Sequence, residues 1–200
     1  MLFHIIKMAG YLELWIGPMF SGKTTQLIQT YKQYHYIGKN MCVVNYHLDQ
    51  RYHDTMLSTH DKMMIPCLQT SLLKNIKHDA LQSDVILINE GQFFADLFNE
   101  VIDLVEVHKK KVYICALDGD FKREKFGSVL DLIPYCDKVT KLNAMCSSCK
   151  NGTKALFSHR LTQEEDQVVI GSDNYMPLCR RCYKDKNAQN SSELENTVFF

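Results

Sequence analysis

Hydrophobic and polar positions follow two different periods along this chain. Continuous apolar runs occupy residues 11–16, 41–45, 84–89 and 111–117, and glycine or a polar residue lies at or just after the end of each run. Such runs, rich in β-branched and aromatic side chains, predict strands. Because the runs are continuously apolar rather than alternating, they are typical of a parallel sheet that is covered on both faces.

Helical spacing appears between these runs. Residues 24–37 and 95–108 each place large apolar or aromatic side chains at helical intervals, which predicts an amphipathic helix in each segment. Gly38 follows the first helix, where a C-cap commonly lies. Strands that alternate with such helices indicate an α/β fold, with a parallel sheet and helices on both faces. The helical positions are Leu27, Ile28, Tyr31 and Tyr34, then Leu97, Val101, Leu104 and Val105.

A change of composition near residue 143 divides the chain. From there to about residue 183 the sequence is rich in cysteine, glycine, serine and asparagine without a long helical period, which predicts a small second module. A polar stretch without apolar periodicity follows it and is typical of a disordered tail. The predicted boundaries are an N-terminal extension at 1–10, an α/β domain at 11–142, a small domain at 143–185 and the tail at 186–200.

Charge and composition exclude several classes of protein. The chain has 200 residues with 23 Lys and Arg against 23 Asp and Glu, so its formal net charge is 0. A protein dedicated to duplex DNA usually carries a clear basic excess, and this balance argues against one. No apolar run approaches the roughly 20 residues that cross a bilayer, so no membrane span is predicted.

The N-terminal segment bears on the cellular compartment. Residues 1–8 lack the basic start and the small-residue cleavage site of a signal peptide. We therefore expect a cytoplasmic protein whose cysteines are reduced. Both Met1 and Met8 are candidates for the initiating residue.

A phosphate-binding loop follows the first predicted strand. Residues 17–24 read Gly-Pro-Met-Phe-Ser-Gly-Lys-Thr and match the pattern G-x-x-x-x-G-K-[ST] between a strand and a helix. That order argues against a simple glycine turn, because backbone N–H groups and the helix N-terminus converge there on phosphate oxygens. We expect Lys23 to neutralise the β- and γ-phosphates of ATP and the Thr24 hydroxyl to bind Mg²⁺. The expected phosphate contacts are Gly17, Pro18, Met19, Phe20, Ser21, Gly22, Lys23 and Thr24.

A carboxylate lies at the carboxyl end of the third predicted strand. Asn89 and Glu90 occupy this position, which faces the phosphates in parallel sheets that carry a phosphate loop. Glu90 is a candidate general base that takes the proton of an attacking hydroxyl, and an ordinary loop-end carboxylate is the alternative. Phe93 and Phe94 follow it, either as core residues or as the wall of a pocket for a flat base.

Four of the eight cysteines have the spacing of a metal site. They form two C-x-x-C pairs with 29 residues between the pairs. Four thiolates predict a tetrahedral Zn²⁺ site of structural type, since no coordination position is left open for catalysis. Paired disulfides are the alternative, and a reducing compartment argues against them. The predicted ligands are Cys146, Cys149, Cys179 and Cys182, whereas most of the remaining cysteines, Cys42, Cys67, Cys115 and Cys136, are expected to be buried thiols.

A zinc ribbon beside a phosphate loop leaves a second function open. A P-loop ATPase would be able to bind nucleic acid through such a ribbon, and basic residues cluster at the second C-x-x-C pair. The neutral chain and an acidic segment between the pairs argue against this partner. The basic residues are Arg180, Arg181, Lys184 and Lys186, and the acidic ones are Glu164, Glu165, Asp166 and Asp173.

Several short motifs accompany the phosphate loop and the cysteine pairs. They include Glu-Gly-Gln-Phe-Phe at 90–94 and Ala-Leu-Asp-Gly at 116–119 followed by Phe121. On these motifs, taken in order from Leu12 to Tyr183, the sequence resembles the type II thymidine kinases, which comprise cytosolic cellular enzymes and their large-DNA-virus relatives. Further matching segments lie at 49–52, 59–61, 159–161 and 169–171.

The resemblance implies an activity and an architecture. It implies ATP-dependent phosphorylation of the 5′-hydroxyl of thymidine or deoxyuridine in nucleotide salvage, with Glu90 as the catalytic base. The implied fold is a P-loop (RecA-like) parallel sheet with a zinc-ribbon domain that carries a lasso loop. A homotetramer and feedback binding of dTTP are also implied. The residues near the nucleotide and its metal are then Asp49, Gln50, Arg51, Asn89, Gly91 and Gln92.

The implied nucleoside pocket has two walls, formed by side chains around the sheet and by a lasso whose main chain holds the base edge. Arg51 and Arg160 are candidates for neutralising phosphate charge. One departure concerns Asn89, because family members usually have Asp before the catalytic Glu. The implied nucleoside contacts are Met19, Phe93, Leu117, Phe121 and Phe126, with Asp166, Gln167, Val168, Val169 and Ile170 of the lasso, closed by Tyr175.

Overall fold

The computed structural model describes residues 9–48, 55–59, 62–169 and 171–197, with side chains described to residue 188. Its strands are β1 (Tyr11–Ile16), β2 (Met41–Tyr46), β3 (Met56–Ser58), β4 (Met64–Pro66), β5 (Leu68–Thr70), β6 (Val85–Ile88), β7 (Lys111–Ala116), β8 (Lys138–Lys141), β9 (Ala144–Met145), β10 (Lys154–Ala155), β11 (Phe157–Arg160) and β12 (Tyr175–Leu178). Its α-helices are α1 (Lys23–Tyr36), α2 (Lys77–Gln82), α3 (Leu97–Ile102) and α4 (Arg180–Thr197). Short 3₁₀-helices lie at Leu73–Ile76, Gly91–Phe93, Val129–Tyr135 and Ser172–Asn174.

A six-stranded sheet in the order β5-β2-β6-β7-β1-β8 forms the centre of the fold. Every pairing in it is parallel, which confirms the sheet predicted from the apolar runs. Side chains that alternate along the strands form two apolar clusters, one containing Leu14 and Ile86 and the other Trp15 and Leu87. The apolar pattern did not predict β5 and β8, because edge strands are covered less completely and β8 is largely exposed.

Local chemistry sets the ends of the two predicted helices. α1 begins at Lys23, directly after Gly22, whose left-handed φ of 84° closes the phosphate loop. Gly38 has a φ of 69° and donates its N–H to the His35 carbonyl, as expected of the predicted C-cap. The second predicted helix is divided, since α3 passes into a π-helix at Asp103–Val107.

The segment after residue 143 folds as a small β-module with its own core. β9 pairs with β10 and β11 pairs with β12, both in antiparallel fashion. Ala155, Leu178 and Tyr183 are buried in its core together with two of the cysteines. The Tyr183 hydroxyl donates to the Phe121 carbonyl at 2.6 Å, which joins α4 to the loop after β7.

Helix α4 covers residues 186–197, where the polar composition predicted a disordered tail. Two features explain this difference. The buried side chain of Tyr183 anchors the first turn of α4, and once a helix is nucleated each further residue adds one backbone hydrogen bond. Residues 198–200 lie outside the described part of the chain. α4 is polar, and no other described helix is long and apolar enough to cross a membrane.

Candidate active site

The phosphate loop joins β1 to α1. A Cβ atom at Gly17 would lie 2.3 Å from the Leu142 carbonyl oxygen, so this tight approach requires glycine. The Lys23 side chain is buried and folds back onto the loop, where its ammonium donates to the carbonyls of Gly17 at 3.1 Å and Pro18 at 2.8 Å. The loop therefore holds a positive charge beside the N-terminus of α1, as a triphosphate site requires.

A chain of hydrogen bonds links the start of α1 to two neighbouring strands. The Thr24 hydroxyl donates to Asn89 Oδ1 at 3.4 Å, and Asn89 Nδ2 donates to Asn45 Oδ1 at 2.9 Å. Both asparagines are buried, with 1% of their surface exposed. An uncharged amide thus faces the hydroxyl that is the expected Mg²⁺ ligand.

Glu90 follows β6 in a left-handed conformation, with φ 54° and ψ 45°. Gln92 Nε2 donates to Glu90 Oε2 at 2.6 Å. The Gln92 side chain is itself fixed, because it is buried and its Oε1 accepts the Leu117 N–H at 3.0 Å, just beyond β7. Gln92 therefore holds the carboxylate of Glu90 in a defined orientation.

A cavity of about 400 Å³ connects the phosphate loop with an aromatic wall. Lys23 and Glu90 line it together with the Phe93 ring. That ring stacks on Tyr46 with centroids 4.9 Å apart and meets Phe126 edge-on at 5.3 Å. A flat ring stacked against this wall would share the cavity with the Glu90 carboxylate and the phosphate loop.

Arg160 organises the lasso from the end of β11. Its buried guanidinium donates to three carbonyls of the following loop and to the Tyr175 hydroxyl at 2.7 Å. The Tyr175 hydroxyl in turn donates to the Val169 carbonyl at 3.0 Å. The Arg160 guanidinium, which we expected to neutralise phosphate, is thus hydrogen-bonded to the lasso. The three carbonyls belong to Glu164, Asp166 and Gln167.

Phe121, which the resemblance implies as a nucleoside contact, is not among the residues that line the cavity. Its ring lies against the Arg160 guanidinium, whose central carbon is 3.7 Å from the ring centroid. A cation–π contact with a desolvated arginine is favourable and fixes both groups. Phe121 therefore supports the arginine that holds the lasso.

The four predicted zinc ligands converge in the small module, and their sulfur atoms all lie within 4.8 Å of one another. Cys149 Sγ is 3.7 Å from Cys179 Sγ and 3.3 Å from Cys182 Sγ, and none of the four cysteines forms a disulfide. A tetrahedral zinc ion with bonds of about 2.3 Å separates its sulfurs by roughly 3.8 Å, so the cluster fits this ion. Burial disfavours the Cys146 thiolate, but hydrogen bonds from the backbone N–H groups of Cys149 and Cys179 outweigh burial and lower the pKa of Cys146 to about 6.

Comparison with known proteins gives the family of this chain. A family model described as thymidine kinase matches residues 10–183. The chain belongs to the thymidine kinase family. It is 40% identical to thymidine kinase 1 of Dictyostelium discoideum over 200 residues, which cover 97% of this chain and 87% of that protein. It is 41% identical to the thymidine kinase of Sheeppox virus, covering 87% and 97%, and 37% identical to the cytosolic thymidine kinase of Homo sapiens, covering 90% and 76%.

Most residues that the likeness to thymidine kinases assigned to the site line one cavity. Six described residues of the assigned set do not line it, and one of them, the buried Gly91, packs against Ile114. The assigned residues that line the cavity are Met19, Phe20, Ser21, Gly22, Lys23, Thr24, Glu90, Gln92, Phe93, Leu117, Phe126, Gln167, Val168, Val169 and Tyr175. Those outside it are Gly17, Pro18, Asn89, Gly91, Phe121 and Asp166. The assigned Asp49, Gln50, Arg51 and Ile170 lie outside the described residues.

Sequence reasoning missed some lining residues of this thymidine kinase family member. Tyr46 is the last residue of β2, so the rule that ligands bind at the carboxyl ends of parallel strands offered a signal for it. Ser58 and Thr59 come from the hairpin of β3 and β4, and the match to the family at 59–61 implies no role for them. The other missed residues are Thr25, Gly171 and Ser172.

Proposed function

We propose that this member of the thymidine kinase family transfers the γ-phosphate of ATP to the 5′-hydroxyl of thymidine. The observation that carries the proposal is a single cavity lined by the phosphate loop, by Glu90 and by the aromatic ring of Phe93. The reaction must bring together a triphosphate, a proton acceptor and a flat base. Relatives named thymidine kinase, including those of Dictyostelium discoideum and Homo sapiens, support thymidine as the acceptor.

In the proposed reaction, the protein positions two substrates and moves one proton. The loop and Lys23 bind the triphosphate and neutralise the charge that spreads over the transferred group. Glu90 accepts the proton of the 5′-hydroxyl, and Gln92 keeps its carboxylate from rotating away. Because phosphoryl transfer has a loose transition state, the proton moves late and positioning contributes most of the acceleration.

The proposed reaction can be tested directly with ATP and a panel of nucleosides. Thymidine is expected to give its 5′-monophosphate, and ATP turnover is expected to depend on the nucleoside and not on added DNA. Product formation is measured with thymidine, deoxyuridine, deoxycytidine and a purine deoxynucleoside, with Lys23→Met as the inactive control. ATP hydrolysis that rises with DNA and ignores thymidine would instead support a P-loop ATPase with a nucleic-acid-binding ribbon.

The charge balance of the chain favours the kinase over that ATPase. Nucleic-acid binding requires several cations that are available to phosphates, in a chain with a basic excess. The net charge of 0 supports small-molecule substrates.

Thr24 and Asn89 are the residues that would hold Mg²⁺, which neutralises phosphate charge when it is bound. Hydroxyl and amide oxygens are hard donors that suit this ion, and the two oxygens lie 3.4 Å apart. A carboxylate is the stronger ligand, so position 89 provides less charge here than in relatives with Asp.

Asn89→Asp is therefore expected to tighten the apparent Mg²⁺ affinity by roughly three- to tenfold, because it adds one negative charge beside Thr24. The measurement is Mg²⁺-dependent binding of ATP by calorimetry, supported by the Mg²⁺ dependence of kcat. Asn99→Asp, at an exposed position on α3, adds the same charge away from the cavity and serves as the control. Equal affinities in the wild type and Asn89→Asp would contradict this role of position 89.

The proposed kinase is further expected to hold a structural metal ion, to assemble as an oligomer and to work in the cytoplasm. We assign structural Zn²⁺ to the four-cysteine cluster because its sulfur separations fit that ion. Deoxyuridine as a second acceptor, dTTP as a feedback inhibitor and a homotetramer follow from the resemblance to type II enzymes. A cytoplasmic location is consistent with cysteines that form no disulfide among the described residues.

A further inference from the structure

A side-chain hydrogen bond ties the lasso to the loop that follows β7. Gln167 Nε2 donates to Asp120 Oδ2 at 2.8 Å, and the same nitrogen lies 3.3 Å from the Lys125 carbonyl oxygen. Gln167 belongs to the lasso, whereas Asp120 and Lys125 belong to the loop that follows β7. That loop is flanked by Leu117 and Phe126, which both line the cavity. The bond therefore joins two segments that enclose the same space.

Local hydrogen bonds fix the acceptor of this bond in place. Asp120 is only 6% exposed, and its Oδ1 accepts the N–H groups of Lys122 and Glu124, each at 2.9 Å. Such a double contact holds the carboxylate in one rotamer. With Oδ1 occupied by the backbone of its own loop, Oδ2 accepts the hydrogen bond from Gln167.

The lasso residue itself is held at two points. Arg160 donates to the Gln167 carbonyl at 3.0 Å, while the Gln167 side chain reaches Asp120. The next residues in the chain, Val168 and Val169, line the cavity. Fixing both the main chain and the side chain of Gln167 thus determines where these two residues lie.

We propose that Gln167 and Asp120 form a latch that keeps the lasso closed and thereby sets the affinity for the nucleoside. The inference rests on the lasso as the nucleoside-binding segment, which is part of the function proposed above. Gln167 is in this view a positioning residue, since its amide acts through the lasso backbone. The latch consists of the Gln167 amide as donor and the Asp120 carboxylate as acceptor, so it forms between protein groups alone.

The latch predicts a selective change in nucleoside affinity. If only a fraction of molecules have a closed lasso, the apparent dissociation constant is the intrinsic one divided by that fraction. The hydrogen bond of one exposed side chain changes such a fraction by roughly three- to tenfold. The phosphate loop and Glu90 are held by other contacts, so kcat and the KM for ATP are expected to stay close to those of the wild type.

Gln167→Glu tests the latch because it places two carboxylates face to face. We expect the KM for thymidine to rise roughly three- to tenfold, with kcat and the KM for ATP nearly unchanged. Amide hydrogen exchange at 163–169 is expected to become faster. Adding Asp120→Asn is expected to restore most of the thymidine KM and most of the exchange protection. The amide introduced at position 120 keeps an oxygen for the backbone N–H groups and donates to the carboxylate introduced at position 167. Gln163→Glu adds the same charge at an exposed position in the same loop and is the matched control.

Each other outcome would overturn the proposal in a recognisable way. Unchanged exchange in the lasso of Gln167→Glu, or a double variant no better than the single one, would show that the bond does not hold the lasso. Faster exchange with an unchanged KM for thymidine would show that the lasso does not control nucleoside binding. Turnover of thymidine by the wild type tests the kinase activity separately, so failure of the latch and failure of the proposed function are distinguishable.

Discussion

Glu90→Gln is expected to lower kcat for thymidine phosphorylation by about 10² to 10⁴. The amide keeps the size of the carboxylate, and its oxygen can still accept the hydrogen bond from Gln92, but it cannot accept the hydroxyl proton. The phosphate loop is unaltered, so ATP binding should not change. The measurements are kcat at saturating substrates and the dissociation constant of ATP by calorimetry.

Glu100→Gln is the matched control for that experiment. Glu100 is also a partly buried carboxylate, but it lies on α3 and pairs with Lys77 at 3.3 Å, away from the cavity. It is expected to retain wild-type kcat. If Glu90→Gln also retained nearly full kcat, Glu90 would not be the base, and positioning by the phosphate loop would have to account for the reaction.

Loss of the metal from the four-cysteine cluster is expected to weaken thymidine binding by more than about tenfold while ATP still binds. The cysteines share a small core with Tyr183, whose hydroxyl binds the Phe121 carbonyl. Phe121 in turn lies against Arg160, which holds the lasso. Once four thiols separate, this series of contacts loses its support. The measurements are metal content, thermal unfolding, and calorimetric binding of each substrate after chelation.

Cys136→Ser provides the comparison for cysteine chemistry without metal loss. Cys136 is a partly buried thiol outside the cluster, and its Sγ donates to the Leu132 carbonyl. This variant is expected to keep its metal and its thymidine affinity, whereas Cys149→Ser should lose both. Chelated protein that has released its metal and yet binds thymidine normally would show that the small module does not support the lasso.

The central sheet and the phosphate loop could be predicted because each corresponds to a pattern of residues that are close together in the sequence. β1, β2, β6 and β7 are continuous apolar runs, and a strand followed by the loop and α1 is a contiguous motif. The edge strand β8 has no such pattern, since exposure on an edge permits Lys and Thr. Helix α4 was missed because its stability starts from tertiary packing of Tyr183 rather than from an apolar face.

The candidate site shows the same limit in its side chains. Glu90 and the cysteines were found because their spacing in sequence carries their chemistry. Gln92 holding Glu90, and Arg160 lying on Phe121, depend on rotamers and on contacts between segments that are distant in sequence. No periodicity encodes such contacts. The resemblance implied a nucleoside contact for Phe121, and it gave no sign of the contact between its ring and the Arg160 guanidinium.

The left-handed backbone at Glu90 places folding and chemistry in opposition. A residue with a Cβ atom at φ 54° costs roughly 1 to 3 kcal/mol, a cost from which glycine is largely free. Selection for thermal tolerance alone would therefore favour glycine at this position and remove the carboxylate. A stabilised variant that is selected without an activity screen is therefore expected to bind nucleotide but to lose phosphoryl transfer. At position 90, selection for stability and selection for catalytic activity therefore favour different residues.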